Sequence, residues 1–286
     1  MILIVDSGST KADWISVDNN GKQLLEKIRT LGLNPAILKE KKIYKIIKSS
    51  DELMQHRKDV THIFFYGAGC GTEKPRLQLK AILEDIFINA EVDVQEDTYA
   101  AVRATLSHDD EAAVVCILGT GSNCSYYDGE RLHQKIKSLG YTLMDDASGN
   151  YYGKELIRDY YFNHMPEDIK IAFGDKYNLD ADYIKYNLYK QPNPNAYLAQ
   201  FAEFMILNKD SEYIRELIKR GFRRFANNMI MQFKEELKTV PVHFAGSISF
   251  FCQDEIKQVA EEMGFTVGNF ERRPIEGLVS FHTDAT

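Results

Sequence analysis

The sequence predicts an α/β fold in which one strand–turn–strand unit occurs twice. The first unit spans residues 2–17, where an apolar run, a short polar turn and an extended segment follow one another. The second unit repeats this order at residues 113–127. An unbroken apolar run rich in β-branched residues is typical of a strand buried on both faces. Because each unit opens one half of the chain, the repeat indicates a duplicated architecture.

Length and charge restrict the classes of protein that fit. The chain has 286 residues, of which 44% are hydrophobic and 27% charged, and it is long enough for two domains of roughly 100–170 residues. Its net charge of −7 argues against a basic surface for nucleic acid or an anionic membrane. Met1 leads directly into a predicted strand, and no apolar run reaches a membrane-spanning length. We therefore expect a cytoplasmic protein that binds neither nucleic acid nor membrane.

The four cysteines show no metal or redox motif. Cys70, Cys116, Cys124 and Cys252 form no CxxC pair and have no zinc-ligand spacing. Free thiols of cytosolic proteins are usually reduced, and free cysteine is among the most buried residue types. We expect structural roles for all four.

Strands and helices alternate after each unit. In the first half, a strand is predicted at 22–29, helices at 39–56, 75–87 and 98–106, and strands at 61–66 and 90–94. In the second half, a strand is predicted at 131–137, a helical block at 151–237 with its clearest helix at 211–237, a last strand at 240–244, and helices at 252–263 and 274–282. This alternation favours mixed sheets with helices on their faces.

One glycine does not fit the helical pattern. Gly221 lies inside the helix predicted at 211–237, where glycine costs about 1 kcal/mol relative to alanine. Close approach of another backbone or of a nucleotide would explain it, and so would packing alone.

Four short segments carry a family resemblance. They are DSGST at 6–10, Asp97 at the end of a strand and before a helix, LGTGSN at 118–123, and AGS at 245–247. In this order they resemble the superfamily of sugar kinases, heat-shock chaperone ATPases and actin. Within it the chain looks like the N-acetylglucosamine kinases and the related ATPases that activate acyl-CoA dehydratases. The resemblance covers nearly the whole chain.

The resemblance implies a domain organisation. It implies two ribonuclease H-like domains of the actin-like ATPase type, each a mixed sheet flanked by helices, with the active site in the cleft between them. Residues 1–107 would form an N-terminal ATPase and sugar-binding domain, and residues 272–286 would pack back on it. Residues 108–271 would form a C-terminal nucleotide-binding domain.

Nucleotide binding is expected at the polar turns. A short turn between strands can direct N–H groups and hydroxyls toward one anion, and Asp6, at the end of the first strand, suits a hydrated Mg²⁺. A tight hairpin with an aspartate cap is the alternative for this turn, and Lys11 could either neutralise a phosphate or point to solvent. The resemblance implies that ATP and Mg²⁺ bind, with Asp6 near the metal. The expected nucleotide contacts are Asp6, Ser7, Gly8, Ser9, Thr10, Lys11, Gly119, Thr120, Gly121, Gly246 and Ser247.

Asp97 has two interpretations. An aspartate before a helix is a favourable N-cap. An acid at the carboxyl end of a strand in an open sheet also points toward the ligand crevice. The catalytic base of the family occupies this position, so the resemblance implies that Asp97 accepts the proton of the sugar's primary hydroxyl.

The resemblance also implies a set of sugar contacts. N-acetylglucosamine kinases carry a Gly-Asp-Glu-Gly-Ser stretch, and alignment on Ser148 places Asp145 at the aspartate that binds sugar hydroxyls. Asp146 then replaces the glutamate, and Met144 and Ala147 replace two glycines. For two adjacent aspartates a solvated turn is the alternative. The expected sugar contacts are Asn34, Gly69, Gly121, Asn123 and Asp145.

We therefore predict an ATP-dependent kinase that phosphorylates an amino sugar, of the N-acetylglucosamine or glucosamine type, on its primary hydroxyl. We expect a small-molecule sugar as substrate and a homodimer as the assembly. One alternative is an ATPase that activates a redox partner, like the acyl-CoA dehydratase activators, which hold an iron–sulfur cluster between two subunits through cysteines. The other is a non-catalytic sugar sensor on the same scaffold, although the presence of Asp97 and both polar turns argues against it.

Overall fold

The chain forms two compact units. The structure, a computed structural model, describes residues 1–8, 11–106, 108 and 111–283. Unit 1 comprises Met1–Asp109 and Arg273–Thr286, and unit 2 comprises Asp110–Arg272. The assignment of sugar binding and nucleotide binding to these two parts of the chain stays a prediction.

Unit 1 contains a five-stranded mixed sheet. Its strands are β1 (Ile2–Ser7), β2 (Lys11–Val17), β3 (Ile28–Leu31), β4 (His62–Gly67) and β5 (Glu91–Glu96). They lie in the order β3-β2-β1-β4-β5, with β1 antiparallel to β2 and parallel to β4. The helices of this unit are α1 (Glu40–Lys48), α2 (Asp51–His56), α3 (Glu73–Ile86), α4 (Asp97–Thr105) and α13 (Pro274–Thr283).

Unit 2 repeats this sheet. Its strands are β6 (Ala113–Leu118), β7 (Ser122–Tyr127), β8 (Leu132–His133), β9 (Val242–Ala245) and β10 (Val267–Glu271). Their order, β10-β9-β6-β7-β8, is the order of unit 1 viewed from the opposite edge. The helices are α5 (Gly149–Tyr161), α6 (Glu167–Lys176), α7 (Ala181–Tyr189), α8 (Pro194–Ala199), α9 (Ala202–Leu207), α10 (Glu212–Asn228), α11 (Ser247–Phe251) and α12 (Gln253–Met263). The predicted duplicated α/β architecture is confirmed.

Strand β1 is apolar because both of its faces are covered. Leu3 and Val5 pack into the cluster that contains Trp14 and the buried residues of α1 and α3. Ile2 and Ile4, which alternate with them, pack against α13. Side chains alternate between the faces of a strand, so a strand covered on both faces has no polar position until Asp6.

Three elements, two in the first half of the chain and one in the second half, have bounds that differ from the prediction. The third strand begins at Ile28 rather than at residue 22, because the carboxylate of Asp18 accepts the N–H groups of Asn20 and Lys22 and lengthens the turn. The helix predicted at 39–56 is two helices, since the Ser50 hydroxyl accepts the N–H of Leu53 and starts α2. The strand predicted at 131–137 is reduced to Leu132–His133.

The end of unit 2 also differs from the prediction. The α-helix predicted at 211–237 ends at Asn228, and beyond Met229, whose φ is −118°, the chain continues as two short 3-10 helices, Ile230–Phe233 and Glu236–Lys238. The prediction that 240–244 is the last strand is wrong, because β10 follows β9 and pairs with it in parallel. None of the residues of β10 is fully buried. An edge strand of this kind carries no apolar run that would reveal it in the sequence.

Packing of aromatic rings explains Gly221. A β-carbon at this position of α10 would lie 2.6 Å from Cε1 of Tyr152 and 2.7 Å from Cε1 of Tyr151. Both tyrosines lie on α5, and the Tyr152 hydroxyl donates to the carbonyl of Ile218 at 2.8 Å. Glycine therefore allows α5 to approach α10 closely.

Candidate active site

Two carboxylates lie at one edge of the sheet of unit 1. Ser7, Gly67 and Glu96 are paired side by side across β1, β4 and β5. Asp6 precedes the first of these residues and Asp97 follows the last. The carboxyl ends of the three parallel strands therefore meet at one edge, which is where open α/β sheets bind ligands.

Asp6 and Asp97 are electrostatically linked. The pKa of Asp6 is raised to about 6, chiefly by burial and then by the nearby charges of Asp97 and Asp13, against the opposing charge of Lys11. The side chain of Asp97 is exposed at the surface, but partial desolvation by the protein around it still raises its pKa. Two carboxylates that repel each other favour a cation or a proton between them.

Asp97 is the first residue inside α4 rather than its N-cap. The N-cap residue is Glu96, whose side chain makes no capping hydrogen bond. Hydrogen bonds from the backbone N–H groups of Thr98 and of Asp97 itself lower the pKa of the Asp97 carboxyl and oppose the effect of desolvation. The carboxylate is thereby held at the start of the helix. Its role as base stays a prediction.

The first polar turn has one buried and two exposed members. Ser7 is fully buried, and its hydroxyl accepts the N–H of Leu33 at 2.9 Å, which ties the end of β1 to the loop after β3. Gly8 and Lys11 are exposed. The nucleotide contacts expected at Ser9 and Thr10 lie outside the described residues.

The loop after β4 packs against two polar side chains. Asn34 is 8% exposed, and its Oδ1 accepts the N–H of Ala36 at 3.0 Å. This oxygen also lies against Gly69, and the Glu96 carboxylate lies against Gly71. The structure thus brings together Asn34 and Gly69, two expected sugar contacts. Glu96 was not predicted as a site residue, because strand alternation and the family resemblance both favoured its neighbour Asp97.

The polar turn of unit 2 is held by the start of α5. The N–H of Gly149 donates to the carbonyl of Gly119 at 2.7 Å, and the N–H of Asn150 donates to the carbonyl of Thr120 at 3.1 Å. These are N–H groups that a helix leaves unpaired at its N-terminus. Thr120 is exposed, and among the described residues nothing lies within 4 Å of a β-carbon placed on Gly119. The turn is fixed from one side and open on the other.

The AGS segment lies against the same turn. Gly246 has φ +114°, and a β-carbon there would lie 2.4 Å from the carbonyl oxygen of Leu118. Only glycine combines this backbone conformation with so close an approach. Ser247, which begins α11, is exposed. The structure therefore brings the predicted nucleotide residues at 119–121 and 246 together within unit 2.

Asp145 lies beside the polar turn, as Asn123 does. A β-carbon on Gly121 would lie 2.8 Å from Oδ2 of Asp145, and the same oxygen accepts a hydrogen bond from Nδ2 of Asn150 at 3.2 Å. Asn123 is the second residue of β7, and its Oδ1 accepts the N–H of Cys124 at 2.8 Å. The structure therefore brings two expected sugar residues, Gly121 and Asp145, together within unit 2, and the third, Asn123, follows two residues after Gly121 in the chain. Asn150 was missed, because nothing in its local sequence indicates a contact with Thr120 or Asp145.

The two adjacent aspartates have different partners. Asp146 forms an ion pair with Nε of Arg224 at 3.0 Å and accepts a hydrogen bond from Asn228 at 3.0 Å. Ala147 adopts φ +57°, so it keeps the left-handed backbone conformation that the glycine of the family motif would favour. The replacement of this glycine leaves the turn in glycine-like geometry.

A cavity of about 280 Å³ adjoins Asp145. Its lining combines four apolar residues with six polar or charged ones. The polar and charged lining residues are Ser122, Ser138, Asp145, Asp146, Arg224 and Asn228. The apolar lining residues are Ile136, Leu143, Met144 and Met229.

The four thiols are poorly placed for a metal site. All four cysteines are free and buried, and the sulfur atoms of Cys116 and Cys124 lie 3.5 Å apart on neighbouring strands. Burial raises the pKa of the Cys116 thiol, with the neighbouring Cys124 adding to it, so this pair is poorly suited to bind metal as thiolate. Within residues 1–8, 11–106, 108 and 111–283, no helix has both the length and the apolar character to cross a bilayer.

Comparisons with known proteins identify the class. No protein-family model and no curated protein matches the chain. A solved candidate N-acetylglucosamine kinase from Porphyromonas gingivalis is 32% identical, covers 99% of both chains and superposes with a TM-score of 0.88. A second one from Chromobacterium violaceum is 15% identical, covers 98% of both chains and has a TM-score of 0.68. A ROK family glucokinase from Streptomyces griseus, solved with glucose and AMPPNP, is 15% identical over 99% of both chains with a TM-score of 0.55.

The duplicated sheets and these relatives define a sugar kinase of the superfamily that also contains heat-shock chaperone ATPases and actin. Within that superfamily, the chain belongs to the N-acetylglucosamine kinase-like family of ATP-dependent sugar kinases.

Proposed function

We propose that the protein transfers the terminal phosphoryl group of ATP to the primary hydroxyl of an amino sugar of the N-acetylglucosamine or glucosamine type. The observation that carries this proposal is Asp97, a carboxylate with a raised pKa at the carboxyl end of β5, beside a second carboxylate, Asp6. An ionised carboxylate whose proton affinity is raised toward neutral pH is an effective general base.

Asp97 accepts the proton of the attacking hydroxyl. The backbone N–H groups at the start of α4 hold its carboxylate in place, so little reorganisation accompanies the transfer. The transition state of phosphoryl transfer is loose and carries its charge on the transferring oxygens. Most of the acceleration then comes from positioning of the reactants and from donors that face these oxygens.

Each unit separately offers candidate contacts for ATP, at the polar turn of unit 2 and at the first turn of unit 1. The open side of Gly119 and the exposed Thr120 hydroxyl allow a phosphate to approach. Asp6 fits a magnesium site, because its raised pKa reflects a charge that lacks solvation and a hydrated Mg²⁺ needs only one or two protein carboxylates. Bound Mg²⁺ would neutralise phosphate charge.

The sugar contacts come from two sets of polar groups. Asn34 and Gly69 contribute from unit 1, and Gly121, Asn123 and Asp145 contribute from unit 2. The cavity beside Asp145, lined by both apolar and polar side chains, has room for an acyl group on the amino nitrogen, which supports an N-acyl amino sugar over a neutral hexose. We expect the active protein to be a homodimer.

A panel of acceptor sugars tests this function. We expect Mg²⁺-dependent ADP release with N-acetylglucosamine or glucosamine and little with glucose, and phosphorus–proton correlation NMR should place the phosphate on the primary oxygen. Mg²⁺–ADP at about 100 times its Kd should stabilise the fold by roughly 2.7 kcal/mol, and Thr120→Val should reduce this shift. Failure of every amino sugar to release ADP above background would overturn the substrate assignment.

Neither alternative function gains support from the site. An activator ATPase would need cysteines that reach a cluster shared by two subunits, whereas all four thiols are buried. A sugar sensor would need no base, whereas Asp97 lies at the ligand edge of its sheet. ADP release that depends on the sugar separates a kinase from both, because an activator hydrolyses ATP without an acceptor and a sensor does not consume it.

A further inference from the structure

One buried side chain connects the nucleotide turn of unit 2 with the candidate sugar carboxylate. Nδ2 of Asn150 donates to the carbonyl oxygen of Thr120 at 2.6 Å and to Oδ2 of Asp145 at 3.2 Å. The backbone N–H of Asn150 donates to the same Thr120 carbonyl at 3.1 Å. The amide group of one residue therefore touches both loops.

The position of Asn150 explains why this link is stiff. Asn150 is 2% exposed and is the second residue of α5, after Gly149, whose N–H also donates to the polar turn. The Ser148 hydroxyl caps this helix by accepting the N–H of Tyr151. Because the helix start is fixed by its cap, movement of the Thr120 carbonyl is passed on to the Asp145 carboxylate through a short, desolvated contact.

The chemistry of the contact favours coupling between the two loops. A hydrogen bond to a charged acceptor in a buried setting is stronger than a neutral one. Both amide hydrogens of Nδ2 can be used at once, one for each oxygen. If either oxygen moves away, one N–H of the buried Asn150 amide is left without an acceptor, which costs free energy.

We infer that Asn150 is a positioning residue through which nucleotide at Thr120 and sugar at Asp145 strengthen each other's binding. This inference rests on the proposed function, because it takes Asp145 as a sugar contact and the turn as a nucleotide contact. It assigns to Asn150 a role that involves neither ligand directly.

The experiment measures that mutual strengthening. The Kd of a non-hydrolysable ATP analogue with Mg²⁺ is determined by calorimetry, without sugar and with the saturating amino sugar that releases most ADP in the panel. We expect the sugar to tighten nucleotide binding by at least about fivefold in the unaltered chain, the lower end of typical coupling between sites. In Asn150→Ala this ratio should fall to near one, and the KM of the sugar should rise about tenfold, as expected for one lost bond to a charged group.

Asn228→Ala is the matched control. Asn228 makes the corresponding amide-to-carboxylate bond to the next residue, Asp146, at 3.0 Å, and it is not hydrogen-bonded to the polar turn. In this variant the sugar should tighten nucleotide binding by the same factor as in the unaltered chain, even where the variant changes the sugar affinity itself. Asn150→Ser, which keeps one short donor but cannot reach both oxygens, should lose the ratio as Asn150→Ala does.

The outcomes separate this inference from the proposed function. Phosphorylation of an amino sugar by the unaltered chain tests the function. An unchanged ratio in Asn150→Ala or Asn150→Ser, or a ratio near one in the unaltered chain, would overturn the role of Asn150 while the kinase activity stood. A purely structural role would lower the melting temperature and both single affinities, and would leave their ratio as it was.

Discussion

The amide oxygen of Asn34 occupies the space that a side chain at residue 69 would need, 2.0 Å from an ideal β-carbon on Gly69. Gly69 also has φ +81°. We predict that Gly69→Ala displaces Asn34 and raises the KM of the sugar, with a loss of stability that exceeds the roughly 1–2 kcal/mol of a left-handed alanine. Steady-state kinetics and denaturant unfolding measure the two effects.

Gly264→Ala is the control for this substitution. Gly264 has φ +78° at the end of α12, and among the described residues nothing lies within 4 Å of its added β-carbon. This substitution should reduce stability only by the free energy of the left-handed backbone conformation, and it should leave the KM of the sugar unchanged. Equal stability losses in the two variants would show that Asn34 yields easily to residue 69.

Asp97→Asn tests the general base. Asparagine keeps the shape of the side chain but cannot accept the proton, so kcat should fall by roughly 10²- to 10⁴-fold. Stability should change by less than about 1 kcal/mol, the usual size of a charge effect at a helix N-terminus. The control is Asp93→Asn on β5, the strand that precedes Asp97. It weakens a 3.4 Å ion pair with Arg103 and should stay within a few-fold of the unaltered activity. An Asp97→Asn chain as active as the control would remove the base assignment.

Asp6 makes stability depend on pH. Its folded-state pKa of about 6 exceeds the ordinary value of 3.8, so the folded chain holds this proton more tightly than the unfolded chain. The contribution is complete below about pH 4 and is lost as the pH rises to about 6. Asp6→Asn has no group that titrates at this position, so it does not lose stability there as the pH rises. Its free energy of unfolding, relative to that of the unaltered chain, should therefore increase by roughly 2–3 kcal/mol between pH 4 and 7. Urea unfolding across this range, without nucleotide or Mg²⁺, measures the difference, and parallel pH profiles would contradict it.

Asp145 and Asp146 should respond differently to the same change. Asparagine tolerates the left-handed φ of +65° at position 145, so Asp145→Asn tests the charge alone and should raise the sugar KM about tenfold. Asp146→Asn weakens a partly exposed ion pair with Arg224, and such pairs contribute at most about 1 kcal/mol. Its KM should stay within about threefold. The reverse order of effects would exchange the roles of the two aspartates.

Gly221→Ala should destabilise unit 2 although alanine favours helices. The added methyl group would meet the rings of Tyr151 and Tyr152 within 2.7 Å, and overpacking of this kind costs about 1–3 kcal/mol. For Gly174→Ala in α6, the nearest atoms to the added β-carbon belong to Tyr160, starting with Oη at 3.5 Å, which is ordinary van der Waals contact. This variant should gain up to about 1 kcal/mol of stability. Thermal unfolding of both variants checks the prediction. A stabilised Gly221→Ala chain would mean that the rings move aside.

Elements with a local pattern could be predicted from the sequence. Strands β1 and β6 are apolar runs buried on both faces, and each is followed by a polar turn. The duplicated fold and the candidate nucleotide turns could therefore be predicted from the sequence. Asp97 was visible for the same reason, as an acid where a strand ends. Strand β10 was not, because an edge strand with no fully buried residue has no apolar run.

Contacts between distant residues were decided by the tertiary structure alone. The sequence proposed Asp145 as a sugar contact and its neighbour Asp146 in place of a glutamate, but only folding paired Asp145 with Asn150 and Asp146 with Arg224, which comes from α10. Those pairings depend on which residues of α10 face the loop and on where α5 begins. The sequence of the loop that carries the aspartates encodes neither of these. Sequence by itself therefore determined the strands, the turns and the acids at their ends, since burial and turn formation are local. The choice of partner for each polar side chain depends on which backbone segments the core packs together, and only the folded chain decided it.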